Sequence, residues 1–242
     1  MTVNETFLVV VPTYNERDNI ESLVREILAQ DARLRVLVID DSSPDGTAEV
    51  VRRLMKDDER ISLLVRPGKL GLGTATIAGL RECLRRGCAG AIVMDADFSH
   101  HPRYLPAMLR RYASGAQVVI GSRYVAGGGV SNWPLYRRAM SRAINLYAKL
   151  WLGLTVRDVS GAYRLYGASV LKELDLDRIW SRGYSFQEEV LFWLRRAGAK
   201  FGEVPILFED RRFGQSKINT REAIVALIIL TAIGLAQAVG TL

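Results

Sequence analysis

Cysteine and histidine are both scarce: two of each in 242 residues. Cys83 and Cys88 stand five apart, with no Cys-x-x-Cys and no histidine cluster beside them. That excludes an evident disulfide framework or zinc site and points to a reducing compartment. The two histidines are neighbours, His100 and His101, and no convincing nucleophile–base dyad can be assembled around them. They adjoin the acidic motif Asp95-Ala96-Asp97, where a metal ligand or general base is one reading; because Pro102 ends the segment, loop structure with a helix-capping role is the favoured one. No basic segment precedes the apolar run Phe7–Val11, and Pro12 cuts it short, so no secretory signal is expected. Repeats, low-complexity tracts and a clear linker are also missing.

The most telling scarcity is of acids in one place. From Phe98 to Arg157, sixty residues, there is no Asp or Glu, while nine Lys or Arg fall in the same stretch. Solvated surfaces normally mix both signs. One region of the molecule is therefore expected to attract anions strongly. The net charge of +7 agrees, without choosing among nucleic acid, membrane and phosphorylated substrate. Nucleic acid is the weakest of these, since aromatic interleaving and a recognised binding motif are lacking.

With 49% hydrophobic residues the chain has ample material for one large domain, alone or with appendages. Short apolar runs at Phe7–Val11, Arg35–Ile39, Ile61–Val65 and Ala91–Met94 alternate with amphipathic stretches. The helix after Glu16 carries Ile20, Leu23, Val24, Ile27 and Leu28 on one face. Pro44 is placed to open a second helix, and Gly71-Leu72-Gly73-Thr74 leads into a third. Further along, Pro102–Tyr112 reads as a helix, Gln117–Gly121 as a strand and Gly127–Gly129 as a flexible loop. Gly167–Leu174 and Gln187–Arg196 read as helices, and Gly202–Glu209 as a strand. The alternation predicts an α/β fold: a mostly parallel, Rossmann-like sheet with helices on both faces. Ligands of such sheets bind beyond the carboxyl ends of the strands. Two of those ends carry acids, Asp40/Asp41 and Asp95/Asp97.

Asp95-Ala96-Asp97 places two carboxylates one residue apart on a chain leaving a buried strand. Such a pair can converge on a hard divalent cation, Mg²⁺ or Mn²⁺, shared with substrate phosphates. Asp41, an acceptor only, suits base N–H groups or sugar hydroxyls. Arg123, Arg211 and Lys217 suit phosphate oxygens. Gly71-x-Gly73 at a helix start can approach phosphate through backbone amides, although tight turns use glycine anyway.

Two segments bear on the surroundings. From Trp133 to about Leu152 a helix puts Arg137, Arg138, Ser141, Arg142, Asn145 and Lys149 on one side. Leu135, Met140, Ala143, Ile144, Tyr147, Leu150 and Trp151 occupy the other. This pattern suits a membrane surface or a helix packed on a globular core. The segment 223–242 is uncharged and at the threshold length for a bilayer span. It can span, lie in the interface, dock on partner helices or enter the core. The expected division is a catalytic domain over residues 1–220 and an apolar, membrane-associated helix over 221–242.

Taken together, Val11–Glu16, Val38–Thr47, Met94–Pro102, Gly121–Tyr124, Asn132–Leu135 and Phe213–Lys217 carry a resemblance. From about Phe7 to Thr220 the chain resembles the dolichyl-phosphate (polyprenol-phosphate) mannose synthases among the family 2 glycosyltransferases. The resemblance implies a glycosyltransferase A fold. It also implies a reaction of GDP-mannose with polyprenyl (dolichyl) phosphate, giving polyprenyl phosphate β-mannose and GDP with inversion. Pro12, Tyr14, Glu16, Ile39 and Asp41 would then cradle the nucleoside. Asp95, Ala96 and Asp97 would contact the diphosphate and its Mg²⁺ or Mn²⁺, with Asp95 and Asp97 as metal ligands. Arg211 and Lys217 would close over the donor, and Arg123, Arg137 and Ser141 would hold the acceptor phosphate. Asp97, Arg123 and Arg137 are the residues expected to carry the chemistry. The acceptor phosphate is largely ionised near neutrality and needs orientation rather than a base. Some relatives carry Gln where this chain has Ser99, and some continue into transmembrane helices, which admits a separate small membrane subunit. The implied setting is a membrane surface, with the active site facing the cytoplasm. Two other functions share parts of the pattern: a UDP-sugar-dependent polyprenyl-phosphate glucosyl or aminosugar transferase, and a non-catalytic membrane-recruitment module.

Overall fold

The computed structural model describes residues 5–181, 183, 185–209 and 228–235. The chain opens with β1 (Phe7–Thr13), α1 (Arg17–Gln30), β2 (Leu34–Asp40), α2 (Thr47–Asp57), β3 (Ile61–Val65), α3 (Leu72–Arg85) and β4 (Gly90–Val93). A 3-10 turn at Pro102–Tyr104 leads into α4 (Leu105–Ala113), β5 (Val118–Ser122), β6 (Gly129–Val130) and α5 (Leu135–Trp151). Then come β7 (Arg164–Gly167), α6 (Ala168–Lys172), α7 (Phe186–Arg196), β8 (Phe201–Pro205) and β9 (Leu207–Phe208). Seven strands form one sheet in the order β3-β2-β1-β4-β7-β5-β8. All are parallel except β7, which runs antiparallel to both β4 and β5.

Strand alternation divides the core into two layers. Phe7, Val9 and Val11 of β1 face a cluster with Ile20, Leu23 and Ile27 of α1, Val51 of α2 and Met108 of α4. Leu8 and Val10 face the other cluster, with Leu80 of α3, Leu171 of α6 and Val190 and Leu191 of α7. Helices thus cover both faces, as the alternation predicts. Close approach of α3 to β1 depends on Gly79, where an added Cβ would lie 2.3 Å from a Val10 methyl.

One strand was not foreseen and two local expectations are revised. Strand β7 has only four residues and begins with a buried arginine, Arg164, so no apolar run announces it. Helix α2 starts at Thr47 rather than at Pro44. Gly46 takes a left-handed conformation (φ 87°), and Asp45 accepts from the Thr47 amide at 2.9 Å. The glycine-rich loop is partly ordered as β6, which pairs in parallel with β9.

Helix α5 is turned inside out relative to its neighbours. Only Asn145 and Ala148 are buried among its seventeen residues. Leu135 (81% exposed), Tyr136, Met140, Ile144 and Leu150 (70%) face outward. The basic, polar stripe faces the protein: Arg138 donates to the Val130 carbonyl, and Asn145 donates to that of Arg157. Core packing therefore does not account for the apolar face. Residues 228–235 are helical and dock at the far end of α5. Tyr147 Oη lies 2.9 Å from Thr231 Oγ1, and Trp151 Nε1 donates to the Thr231 carbonyl at 3.2 Å. Leu230 and Ile233 are buried in the second cluster. Among the described residues no helix is long and apolar enough to cross a membrane.

Candidate active site

Because β2, β1 and β4 are parallel neighbours, Asp40/Asp41 and Asp95/Asp97 come to the same edge of the sheet. Asp40 is fully buried and spent on structure. It accepts from Thr13 Oγ1 (2.9 Å), Ser43 Oγ (2.6 Å) and the Ser43 amide (2.9 Å), tying the β1 and β2 exits together. Asp41 forms a two-pronged pair with Arg66, Nε to Oδ1 at 2.6 Å and Nη2 to Oδ2 at 2.7 Å. Arg66 also donates to Thr74 Oγ1 and the Gly71 carbonyl. The start of α3 is thereby bound to the end of β2. Arg66 was not anticipated, although a cation directly after an apolar strand on this edge was a readable signal.

The other expected nucleoside residues surround the same edge. Tyr14 is half-buried, with the Lys69 ammonium 5.0 Å from its ring centroid. Glu16 precedes α1; its side chain accepts from Asn19 Nδ2 at 2.9 Å and its amide donates to Thr47 Oγ1 at 3.0 Å. Pro12 is partly exposed at the end of β1, whereas Ile39 is fully buried under the sheet.

The turn after β4 is tightly made. Phe98 is buried with φ 64°, a left-handed conformation that costs a bulky residue roughly 1–3 kcal/mol and concentrates at functional sites. Asp97 is buried and accepts from the Ser99 amide at 3.0 Å. Asp95 keeps a third of its side chain exposed. His100 lies beneath it, 2% exposed. Its Nδ1 accepts from the Asp95 amide at 3.1 Å, which places the ring proton on Nε2. The 3.5 Å approach of the same nitrogen to Asp95 Oδ2 is then a contact, not an ion pair. His101 caps the following turn by accepting from the Arg103 amide. Both histidines lie in the loop before the 3-10 turn, as read from Pro102. Two carboxylates at a strand exit fit a hard cation that completes its shell with substrate phosphates. Among the described residues no set of three or more metal-binding side chains occurs.

The expected acceptor residues gather on the β5 side. Arg123 follows β5 and is sequestered by Asp158: Nε and Nη2 reach the two carboxylate oxygens at 2.8 Å each, and Nη2 also reaches Ser160 Oγ. Burial alone would push the Asp158 carboxyl up; the Arg123 guanidinium more than reverses this and holds it below the usual range. Asp158 is the first acid after the carboxylate-free stretch, so the central cation of that stretch is locally neutralised. Arg123 and Arg137 share the Trp133 ring, at 6.0 and 4.0 Å from its centroid. Ser141 joins through Tyr124, hydroxyl to hydroxyl at 2.7 Å. Phe208 links the two halves: its ring is 5.5 Å from that of His100 and 5.5 Å from that of Trp133. Arg211 and Lys217 lie outside the described residues.

One further acid was missed. Glu188, in the first turn of α7, is 5% exposed, and its Oε2 has no hydrogen-bond partner among the described residues. Burial, partly offset by the nearby Arg164 guanidinium, pushes its carboxyl up to about 7. Arg164 itself is fully buried and donates to the carbonyls of Gln187 and Val159. The apolar context of α7 concealed Glu188, because Glu188 and Glu189 read as an acidic first turn.

Six parallel strands with one antiparallel insertion, and an Asp-x-Asp turn at the exit of β4, define a glycosyltransferase A fold. Residues 8–175 match glycosyl transferase family 2, and the chain belongs to that family. It is 41% identical over 220 residues to the polyprenol monophosphomannose synthase of Mycolicibacterium smegmatis, covering 89% of this chain and 83% of that protein. It is also 41% identical over 229 residues to the undecaprenyl-phosphate mannosyltransferase of Micrococcus luteus, covering 95% and 94%. Among solved structures it resembles glucosyl-3-phosphoglycerate synthase from Mycobacterium tuberculosis in complex with Mn²⁺, uridine diphosphate and glucosyl-3-phosphoglycerate. That likeness has a TM-score of 0.65 at 18% identity, over 96% of this chain and 79% of that one, and speaks to the fold alone.

Proposed function

We propose that this glycosyltransferase moves mannose from GDP-mannose to a polyprenyl (dolichyl) phosphate at a membrane surface facing the cytoplasm, with inversion at the sugar carbon. Both curated relatives at 41% identity are named for polyprenyl-phosphate mannose chemistry, which supports the sugar and lipid assigned. The observation that carries the geometry is the aromatic bridge. Arg123 and Arg137 flank Trp133, and one ring further, through Phe208, lies the histidine supporting Asp95.

In this reading Pro12, Tyr14, Glu16 and the Asp41–Arg66 pair line the nucleoside end, with Ile39 beneath it. Ala96 lets the chain pass close to the diphosphate. Asp95 and Asp97 would hold Mg²⁺ or Mn²⁺, which offsets the charge gathering on the departing diphosphate. Arg211 and Lys217 are assigned to the donor by resemblance. On the acceptor side, Asp158 and Ser160 fix the Arg123 guanidinium, leaving Nη1 for a phosphate oxygen. Arg137 and Ser141 complete the cradle. A phosphate oxygen of the lipid forms the new bond to the sugar carbon, and the electron pair of the broken carbon–oxygen bond leaves with GDP. The nucleophile arrives ionised, so orientation is the protein's main task. The outward apolar face of α5 would seat the enzyme on the lipid that supplies the acceptor.

The test is transfer of label from radiolabelled GDP-mannose, with Mg²⁺ or Mn²⁺ and a short polyprenyl phosphate, into the organic phase. UDP-glucose serves as the competing donor. Asp97→Ala should lower transfer by roughly 10³-fold, on the scale of losing one strong transition-state contact, far more than its loss of the Ser99 hydrogen bond lowers stability. Preference for the UDP-sugar, or full activity of Asp97→Ala in EDTA, would overturn the assignment.

A further inference from the structure

Beside the proposed acceptor cradle lies a cavity of about 570 Å³, between the loop leaving β5, the polar stripe of α5 and the segment before β7. Its walls include Arg142, Lys149 and Arg157, together with Arg123 and Asn145, and no carboxylate. Asn145 builds it. This buried amide donates to the Arg157 carbonyl at 2.5 Å and accepts from the Val159 amide at 2.8 Å, pinning that segment against α5. Two acids border that segment. Asp158 pairs with Arg123, and Glu203 accepts from the backbone amides of Arg157 and Asp158. Among the described residues Arg142, Lys149 and Arg157 form no ion pair. Three cations without an ion pair among the described residues, around a cavity of ligand size, make a site for a phosphate-bearing group. The rim identifies the source. Leu146 lines the cavity and is 54% exposed, and it continues into the outward apolar face through Leu150.

We propose that this cavity binds the headgroup of an anionic phospholipid on its Arg142, Lys149 and Arg157 side, next to the acceptor phosphate proposed at Arg123, Arg137 and Ser141 and sharing with it only the Arg123 and Tyr124 wall. The lipid's acyl chains would run along Leu146 and Leu150. The site rests on the membrane docking of α5 and adds a preference for lipid charge to it. Basic side chains at an anionic surface act additively, and here they surround a pocket rather than a flat patch.

The experiment compares binding of the full chain to phosphatidylcholine vesicles with and without phosphatidylglycerol. The wild type should bind the mixed vesicles at least about tenfold more tightly. The variant Arg142→Gln/Lys149→Gln/Arg157→Gln should lose that gain. It should retain binding to pure phosphatidylcholine and sugar transfer in detergent solution. Several results would overturn the proposal. If the variant keeps the gain, the cations do not bind the headgroup. If it loses transfer in detergent, the cavity is part of the acceptor site. If inorganic phosphate or glycerol 1-phosphate alone raises the melting temperature of the wild type and not of the variant, the ligand is a soluble phosphate. Equal wild-type binding to both vesicles removes this site and leaves α5 docking intact; binding to neither removes both.

Discussion

Helices α1 and α5 carry comparable apolar stripes and use them in opposite directions. Helix α1 buries Ile20, Leu23, Val24, Ile27 and Leu28 against the sheet. Helix α5 buries only Asn145 and Ala148, turning Arg137, Arg138 and Ser141 inward and Leu135, Met140 and Leu150 outward. In the function proposed above, α1 belongs to the donor half and is finished as a protein in water. Helix α5 belongs to the acceptor half and turns polar groups inward and apolar groups outward, the arrangement the proposed membrane docking requires. Each half nevertheless holds one buried Arg–Asp pair at its strand ends: Arg66 with Asp41, and Arg123 with Asp158. The same device therefore braces two strand exits in different surroundings.

The sharpest way to separate the halves is to break these pairs one at a time. Asp158→Asn leaves a guanidinium buried without its counter-charge and should cost about 3–5 kcal/mol, as should Asp41→Asn. Chemical denaturation measures both. Their kinetics should part: Asp158→Asn should raise KM for the lipid acceptor, and Asp41→Asn should raise KM for the nucleotide sugar. If both variants move the same KM, the division into donor and acceptor edges fails. The helices supply a second contrast. Leu23→Ala in α1 should cost roughly 2–5 kcal/mol, whereas Leu135→Ser in α5 should leave stability in solution within about 0.5 kcal/mol and weaken vesicle binding. Comparable losses of stability would mean that the α5 face is packed in solution.

Much of the donor half was legible because its signals are local. Apolar runs gave β1, β2 and β4, the acids after β2 and β4 gave their common edge, and Pro102 correctly assigned His100 and His101 to loop structure. The acceptor half depends on pairings between distant residues. Strand β7 is too short and too polar to announce itself, and it brings Arg164 under Glu188. The acid-free stretch was visible, but the sequence did not reveal that Asp158, one residue beyond it, folds back onto Arg123. Amphipathicity identified both sides of α5; which side faces the protein is a property of the packing. Arg66 and Glu188 were missed for a related reason, since each looks like an ordinary surface charge until its neighbours are placed.

Two buried carboxyls near the acceptor edge respond to pH in opposite senses. Asp158 is held low by Arg123, so its contribution is present above its unfolded pKa and fades as pH falls. Glu188 is raised from 4.5 to about 7 by burial. The folded state therefore retains a proton that the unfolded chain has lost, and stability declines as pH rises from about 4.5 through about 7. Over that interval the loss is about 3 kcal/mol. Glu188→Gln, which keeps the shape and cannot ionise, should flatten the decline and be the more stable protein at pH above the raised value. Melting temperatures of the two proteins across this range provide the measurement. Parallel curves would show that Glu188 is solvated when charged, and would remove one of the features that sets the acceptor edge apart.

The smallest effect concerns the seam between α5 and residues 228–235. Tyr147 stacks on Trp151, with ring centroids 6.0 Å apart and planes at 10°, and its hydroxyl reaches Thr231. Tyr147→Phe preserves the stack and deletes only the hydrogen bond, for a cost of about 1 kcal/mol. Leu230 and Ile233 would still be buried, so the segment should remain docked but open more often. Hydrogen exchange should then quicken about fivefold for residues 228–235 while α7 and the sheet stay unchanged, the response of a locally opening unit. Equal acceleration throughout would place the segment in the same cooperative core as the donor half. Acceleration confined to 228–235 would make it a separately opening edge of the apolar face that α5 turns outward.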